Sequence, residues 1–141
     1  MPSVEIELLG TDDDSMLFLV VYAKSESHSV AHESYVYPDE LRTFAASLRA
    51  FPRSLGDEVV FETGSRAPEW AGFLSLRAYV LRPTGHSALA VEAMQRGDTL
   101  RTSESTFAIG ALPADLNRLG AELEQWLADP SRRLVVSWRN Y

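Results

Sequence analysis

The sequence predicts an α+β fold, an antiparallel β-sheet built from two β-meander-plus-helix units with two amphipathic helices packed on it. Three observations carry that prediction. Short runs alternate apolar and polar residues with a period of two, two longer segments place apolar residues at helical spacing behind a proline, and the second half repeats the order of the first. A chain of 141 residues with 45% hydrophobic content can bury roughly 68–70% of its unfolded surface. We therefore read one domain over residues 1–141, with sub-units of approximately 1–54 and 55–141.

The elements follow in order. Val4, Ile6 and Leu8 alternate with Glu5 and Glu7, the pattern of a half-buried strand with an acidic outer face. The run Thr11-Asp12-Asp13-Asp14-Ser15 has turn chemistry, and Met16 to Tyr22 is apolar at both parities, which predicts a central strand covered on both faces. His28 to Tyr37 reads as a third strand. Pro38 then opens a helix with Asp39 and Glu40 in its first turn, where the helix dipole favours acids; Leu41, Phe44, Ala45, Leu48 and Phe51 form its stripe, and Pro52 ends it.

Strands resume around Val59 to Glu62 and from Phe73 to Arg82. Pro83-Thr84-Gly85 turns into His86 to Gln95, and Arg96-Gly97-Asp98 turns into Leu100 to Ile109. A second helix from Pro113 carries Leu116, Leu119, Leu123, Trp126 and Leu127, and Asp129-Pro130 stops it. Leu134 to Trp138 is a last short strand, and Trp126 and Trp138 are expected in the core. With Pro38 laid on Pro113, Leu41 meets Leu116, Phe44 meets Leu119, Leu48 meets Leu123 and Phe51 meets Trp126, which suggests an internal repeat.

Charge sets the expected partners. Against 20 Asp+Glu stand 13 Lys+Arg, a net charge of −7, so the expectation is no nucleic acid and no anionic membrane surface. The longest apolar run, Met16 to Ala23, falls well short of the roughly 20 residues that a spanning helix needs. Met1-Pro2-Ser3-Val4-Glu5 lacks a basic start followed by an apolar run, and the expected location is cytoplasmic. The absence of Cys removes disulfides, thiol catalysis and Cys-ligated metals.

Catalytic and cofactor signatures are missing. From Asp12, an EF-hand would need Gly at the sixth position and Glu at the twelfth, where Leu17 and Ala23 stand. His28 and His32 on a strand lie about 13 Å apart at ~3.3 Å per residue, too far to share an ion. There is no Gly-x-Ser-x-Gly elbow and no phosphate loop. The reading is no catalytic residue, no metal, no cofactor and, on balance, no enzyme. Trp70, in a loop bounded by Pro68 and Gly72, is either a lid over the core or an exposed contact residue.

The leading Val-Glu-Ile-Glu-Leu-Leu-Gly strand, the helix opening Pro38-Asp39-Glu40-Leu41, the Val59-Val60-Phe61-Glu62 strand, the Gly85-His86 strand and the Leu-rich helix after Phe107-Ala108-Ile109 resemble a group of small bacterial proteins of unknown function. Some of these are similar to the WapI-type immunity proteins of contact-dependent toxins. The Asp-x-Asn-Trp string of that immunity group is absent here, so no functional residue carries over. The resemblance and the charge together give the expected function. It is a non-catalytic bacterial interaction protein, immunity-type, meeting a basic protein partner through Asp12, Asp13, Asp14, Glu5, Glu7 and Trp70. The alternative is a small-ligand binder or enzyme with a cleft between the two units. An open strand edge would allow homo-oligomerisation.

Overall fold

The structure is a computed structural model that describes residues 1–67, 69–97 and 102–139. The expected alternations become β1 (Ser3–Thr11), β2 (Leu17–Lys24), β3 (Ser29–Val36), β4 (Glu58–Gly64), β5 (Gly72–Val80), β6 (Ser87–Gln95), β7 (Ser103–Ala111) and β8 (Leu134–Ser137); the prolines open α1 (Pro38–Arg49) and α2 (Pro113–Ala128). Both units are antiparallel meanders followed by a helix, an α+β arrangement.

The strands divide into two four-stranded sheets, β3-β2-β1-β8 and β4-β5-β6-β7, rather than one sheet layer. The division has a local cause. The free edge of β3 is closed by side chains of the second sheet: Gln95 accepts from the Glu33 N–H at 3.0 Å and donates to the Glu33 carbonyl at 3.4 Å, and the Thr63 hydroxyl donates to the Tyr35 carbonyl at 3.0 Å. An edge covered in this way cannot take β4 as a neighbour. The last strand, β8, instead returns to β1, with Ser3 opposite Ser137 and Ile6 opposite Leu134. A register shift between Leu8 and Gly10 pushes Leu9 out to solvent.

Each helix buries the stripe expected of it, Leu41, Phe44, Ala45 and Leu48 in α1 and Leu116, Leu119, Leu123 and Trp126 in α2. The helices also pack against each other, which the pattern did not foretell. Gly120 lets the α1 backbone approach so closely that a Cβ there would lie 2.6 Å from the Ala45 carbonyl oxygen. Asn117 supplies the cap that α1 lacks, its Nδ2 donating to the carbonyls of Leu48 and Phe51 at 2.8 and 2.7 Å. Arg49 and Glu124 add an ion pair at 2.6 Å.

The cover over β2 differs from the expectation. Its inward residues Leu17, Leu19, Val21 and Ala23 are buried in the core, and on the other face Val20 is buried too, but beneath side chains and not beneath a further helix or sheet. There Phe18 stacks on Tyr35 with ring centroids 4.7 Å apart, and the Arg133 guanidinium lies 4.7 Å above the Tyr22 ring. Trp126 and Trp138 are buried as expected. Among the described residues no helix is long and apolar enough to cross a membrane.

His32 sits where the two sheets cross. It faces inward from β3, buried, with Nδ1 lacking a hydrogen-bond partner and Gly72 of β5 packed so close that a Cβ there would lie 3.1 Å from the ring. Burial holds its pKa below the ordinary value of about 6.5. A depressed His pKa means that the unfolded chain takes up the proton first, so this contribution to stability is intact above about pH 6.5 and is lost as pH falls through that value towards the lowered one. Melting temperature is therefore expected to drop between pH 7 and 5, and His32→Gln is expected to flatten the drop. Identical slopes for the two proteins would remove His32 as its source.

Candidate functional site

The residues singled out from the sequence lie on separate elements. Glu5 and Glu7 project from the outer face of β1, where both are ion-paired to Arg133, at 2.8 and 3.3 Å. Asp12 is engaged in its own turn, its Oδ1 accepting from the Asp14 and Met16 N–H groups at 3.0 and 2.9 Å. Asp13 and Asp14 are exposed in the β1–β2 hairpin. Trp70, 51% exposed, belongs to the β4–β5 loop of the other sheet. In that loop Arg66 lies over Phe73 and bridges Glu92 and Glu104 at 2.9 and 2.7 Å.

A different region carries positive charge without neighbouring acids in sequence. Residues 131–139 carry Arg132, Arg133 and Arg139 with no carboxylate, in a chain of net charge −7. Strand alternation turns Val135 and Ser137 outward, and Arg133, tied to Glu5 and Glu7, continues that row beside Tyr22, with Lys24 near its far end; Arg132 and Arg139 flank the strand. Arg132 and Arg139 form no ion pair among the described residues. Arg133 offsets only one of the two glutamates beneath it, so the surplus positive charge of this stretch lies with Arg132 and Arg139. The signal was legible as a run of arginines without acids, but the total charge obscured it.

Between α2 and the free edge of β8 runs a groove of about 350 Å³, lined by Glu122, Gln125 and Trp126 on the helix side and by Arg132, Arg133 and Val135 on the strand side. Trp126 fixes its floor, the indole N–H donating to the Arg132 carbonyl at 2.6 Å. At one end the Ser131 hydroxyl donates to Asp129 at 2.6 Å and holds that carboxyl below the usual range. The Trp138 N–H donates to the carbonyl of Pro2, the residue before β1, so antiparallel alternation turns the main-chain groups of Val135 and Ser137 away from β1. Arg118 donates to the Ser137 carbonyl. The N–H and C=O of Val135 are left facing the groove.

The apolar space enclosed by the helices and sheets, by contrast, is closed and about 10 Å³. It is no cleft between units. Among the described residues no group of three or more His, Asp or Glu is placed to hold a metal.

No protein-family model and no curated protein matches the sequence. Among solved structures the chain is similar to WHY3 from Arabidopsis thaliana, with a TM-score of 0.49 and 8% identity over 90% of this chain and 82% of that one. It is similar to the plant transcriptional regulator PBF-2 as well, with a TM-score of 0.49 and 12% identity over 89% of this chain and 72% of that one. The expectations of an immunity-type interaction protein for a basic partner and of no nucleic acid are corrected at this point: the second of these structures is a transcriptional regulator by description.

Proposed function

We propose that the chain binds single-stranded nucleic acid, without catalysis, across the outer face of the first sheet and along β8. The observation that supports this reading is the stretch around β8, residues 131–139, which carries three arginines and no carboxylate in an acidic protein. Arg132 and Arg139 would meet phosphates. Tyr35, about half exposed and backed by Phe18, offers a flat aromatic face on the same side of the sheet, and unpaired bases stack on such faces regardless of sequence. Bases in a duplex are not available for that contact, which favours a single strand.

The small number of unpaired cations makes the reading quantitative. Two phosphate contacts on a single strand predict a slope of log K against log salt near about −1.4, shallow for a nucleic-acid binder. In fluorescence anisotropy with a labelled oligonucleotide, Arg132→Gln combined with Arg139→Gln is expected to weaken binding about tenfold at low salt and to bring the slope close to zero. Tyr35→Ala should weaken binding with the slope unchanged. An oligonucleotide that fails to bind, or binds the double arginine variant as well as the wild type, overturns the proposal.

A further inference from the structure

We infer that the groove between α2 and β8 is a subsite for one ribonucleoside monophosphate unit. The inference rests on the nucleic-acid reading for its biological source, but its geometry is separate from the aromatic face of the sheet. The volume of about 350 Å³ lies at the lower end of the range for ligand pockets, about 300–1,000 Å³, and leaves room for a single unit.

The polar groups in the groove match the three parts of such a unit. The Val135 N–H and C=O form a donor and acceptor side by side, turned outward by the register of β8 and unused by any described strand. Every nucleobase presents an adjacent donor and acceptor on its pairing edge, so this backbone pair would hold a base without choosing among them. Gln125 on the opposite wall adds an amide that both donates and accepts. Arg132 makes no direct ion pair among the described residues, although its charge helps to hold the neighbouring Asp129 carboxyl low, and its main chain is held by Trp126; its guanidinium is the anchor for the phosphate. Glu122, on the α2 wall, is an acceptor for ribose hydroxyls, the role a carboxylate plays wherever a sugar diol is recognised.

The backbone pair can be tested selectively. Val135 is 54% exposed on an edge strand, and proline is tolerated at an edge position whose N–H points away from the sheet. Val135→Pro therefore removes the outward donor while leaving the pairing with β1. The full chain is titrated with adenosine 5′-monophosphate and with its 2′-deoxy counterpart, and the Trp126 indole N–H resonance is followed. The expected results are a saturable shift of that resonance, at least tenfold weaker binding for Val135→Pro and for Gln125→Ala, and a preference for the ribose form that Glu122→Gln abolishes. Should Val135→Pro melt early, Gln125→Ala carries the test.

The two sources of the unit, a free mononucleotide or one residue of a bound strand, separate by competition. An oligoribonucleotide that displaces the monophosphate, and that Val135→Pro weakens, assigns the groove to the strand. A monophosphate that binds while oligonucleotides neither bind nor compete supports the groove and overturns only the strand proposal. Oligonucleotide binding that persists unchanged in Val135→Pro and Gln125→Ala, with no response of Trp126 to the monophosphate, overturns the subsite and leaves the strand proposal intact.

Discussion

Gly120→Val is expected to remove about 3 kcal/mol of stability, a large fraction of the roughly 5–15 kcal/mol that holds a domain together. A Cβ at this position would lie 2.6 Å from the Ala45 carbonyl oxygen, 2.8 Å from the Leu48 Cβ and 2.9 Å from the Arg49 amide nitrogen. Two of those three atoms are backbone, so no rotamer change relieves the contact and α1 must move away from α2. That movement would pull the Leu48 and Phe51 carbonyls off Asn117. Opposing it, the gain in helix propensity on replacing glycine is at most about 1 kcal/mol. Gly110→Ala is the control, because a Cβ there meets nothing within 4 Å. The check is the urea midpoint at constant m-value, and a Gly120→Val midpoint equal to wild type would show that the helices are not in contact there.

Leu123→Ala is expected to cost about 2–5 kcal/mol, towards the upper part of that range. The residue is buried on α2, and it lines the enclosed apolar space together with Ile6 and Leu19 of the first sheet, Leu76 of the second and Phe44 of α1. The penalty for such a truncation grows with the cavity that remains, and walls drawn from both sheets and a facing helix cannot collapse into it together. Leu127→Ala, one turn later and only partly buried, should lose much less. Equal melting temperatures for the two variants would contradict the placement of Leu123.

Local pattern and long-range placement were legible to different degrees. Alternation at Val4, Ile6 and Leu8, and the spacing from Leu116 to Trp126, predict the elements within a few residues, because one face of each is buried and the period follows directly. The split into two sheets was not legible: it depends on Gln95 and Thr63 reaching the β3 edge across more than one element, and neither residue announces a partner. Met16 to Tyr22 misled for a related reason. Tyr35 and Arg133 shield the outer face of β2, so its apolar residues need no second layer. The candidate interface was missed because net charge averages over the chain, whereas a ligand meets a row. Glu5 and Glu7, counted as acidic surface, are both tied to one arginine near the far end of the sequence, which offsets half of their charge.

The return of β8 to β1 bears on how the protein is made. The Arg133–Glu5 contact spans 128 residues of sequence, and during synthesis at about 5–20 residues per second β1 would wait roughly 6–26 seconds on the ribosome before its second neighbour emerges. During that interval the β1 edge is open to any strand nearby, including the same strand of another nascent chain. Glu5 and Glu7 then stand unneutralised on that edge and repel a second copy, so the pair that Arg133 later ties down would act first as a guard against misassembly on the polysome.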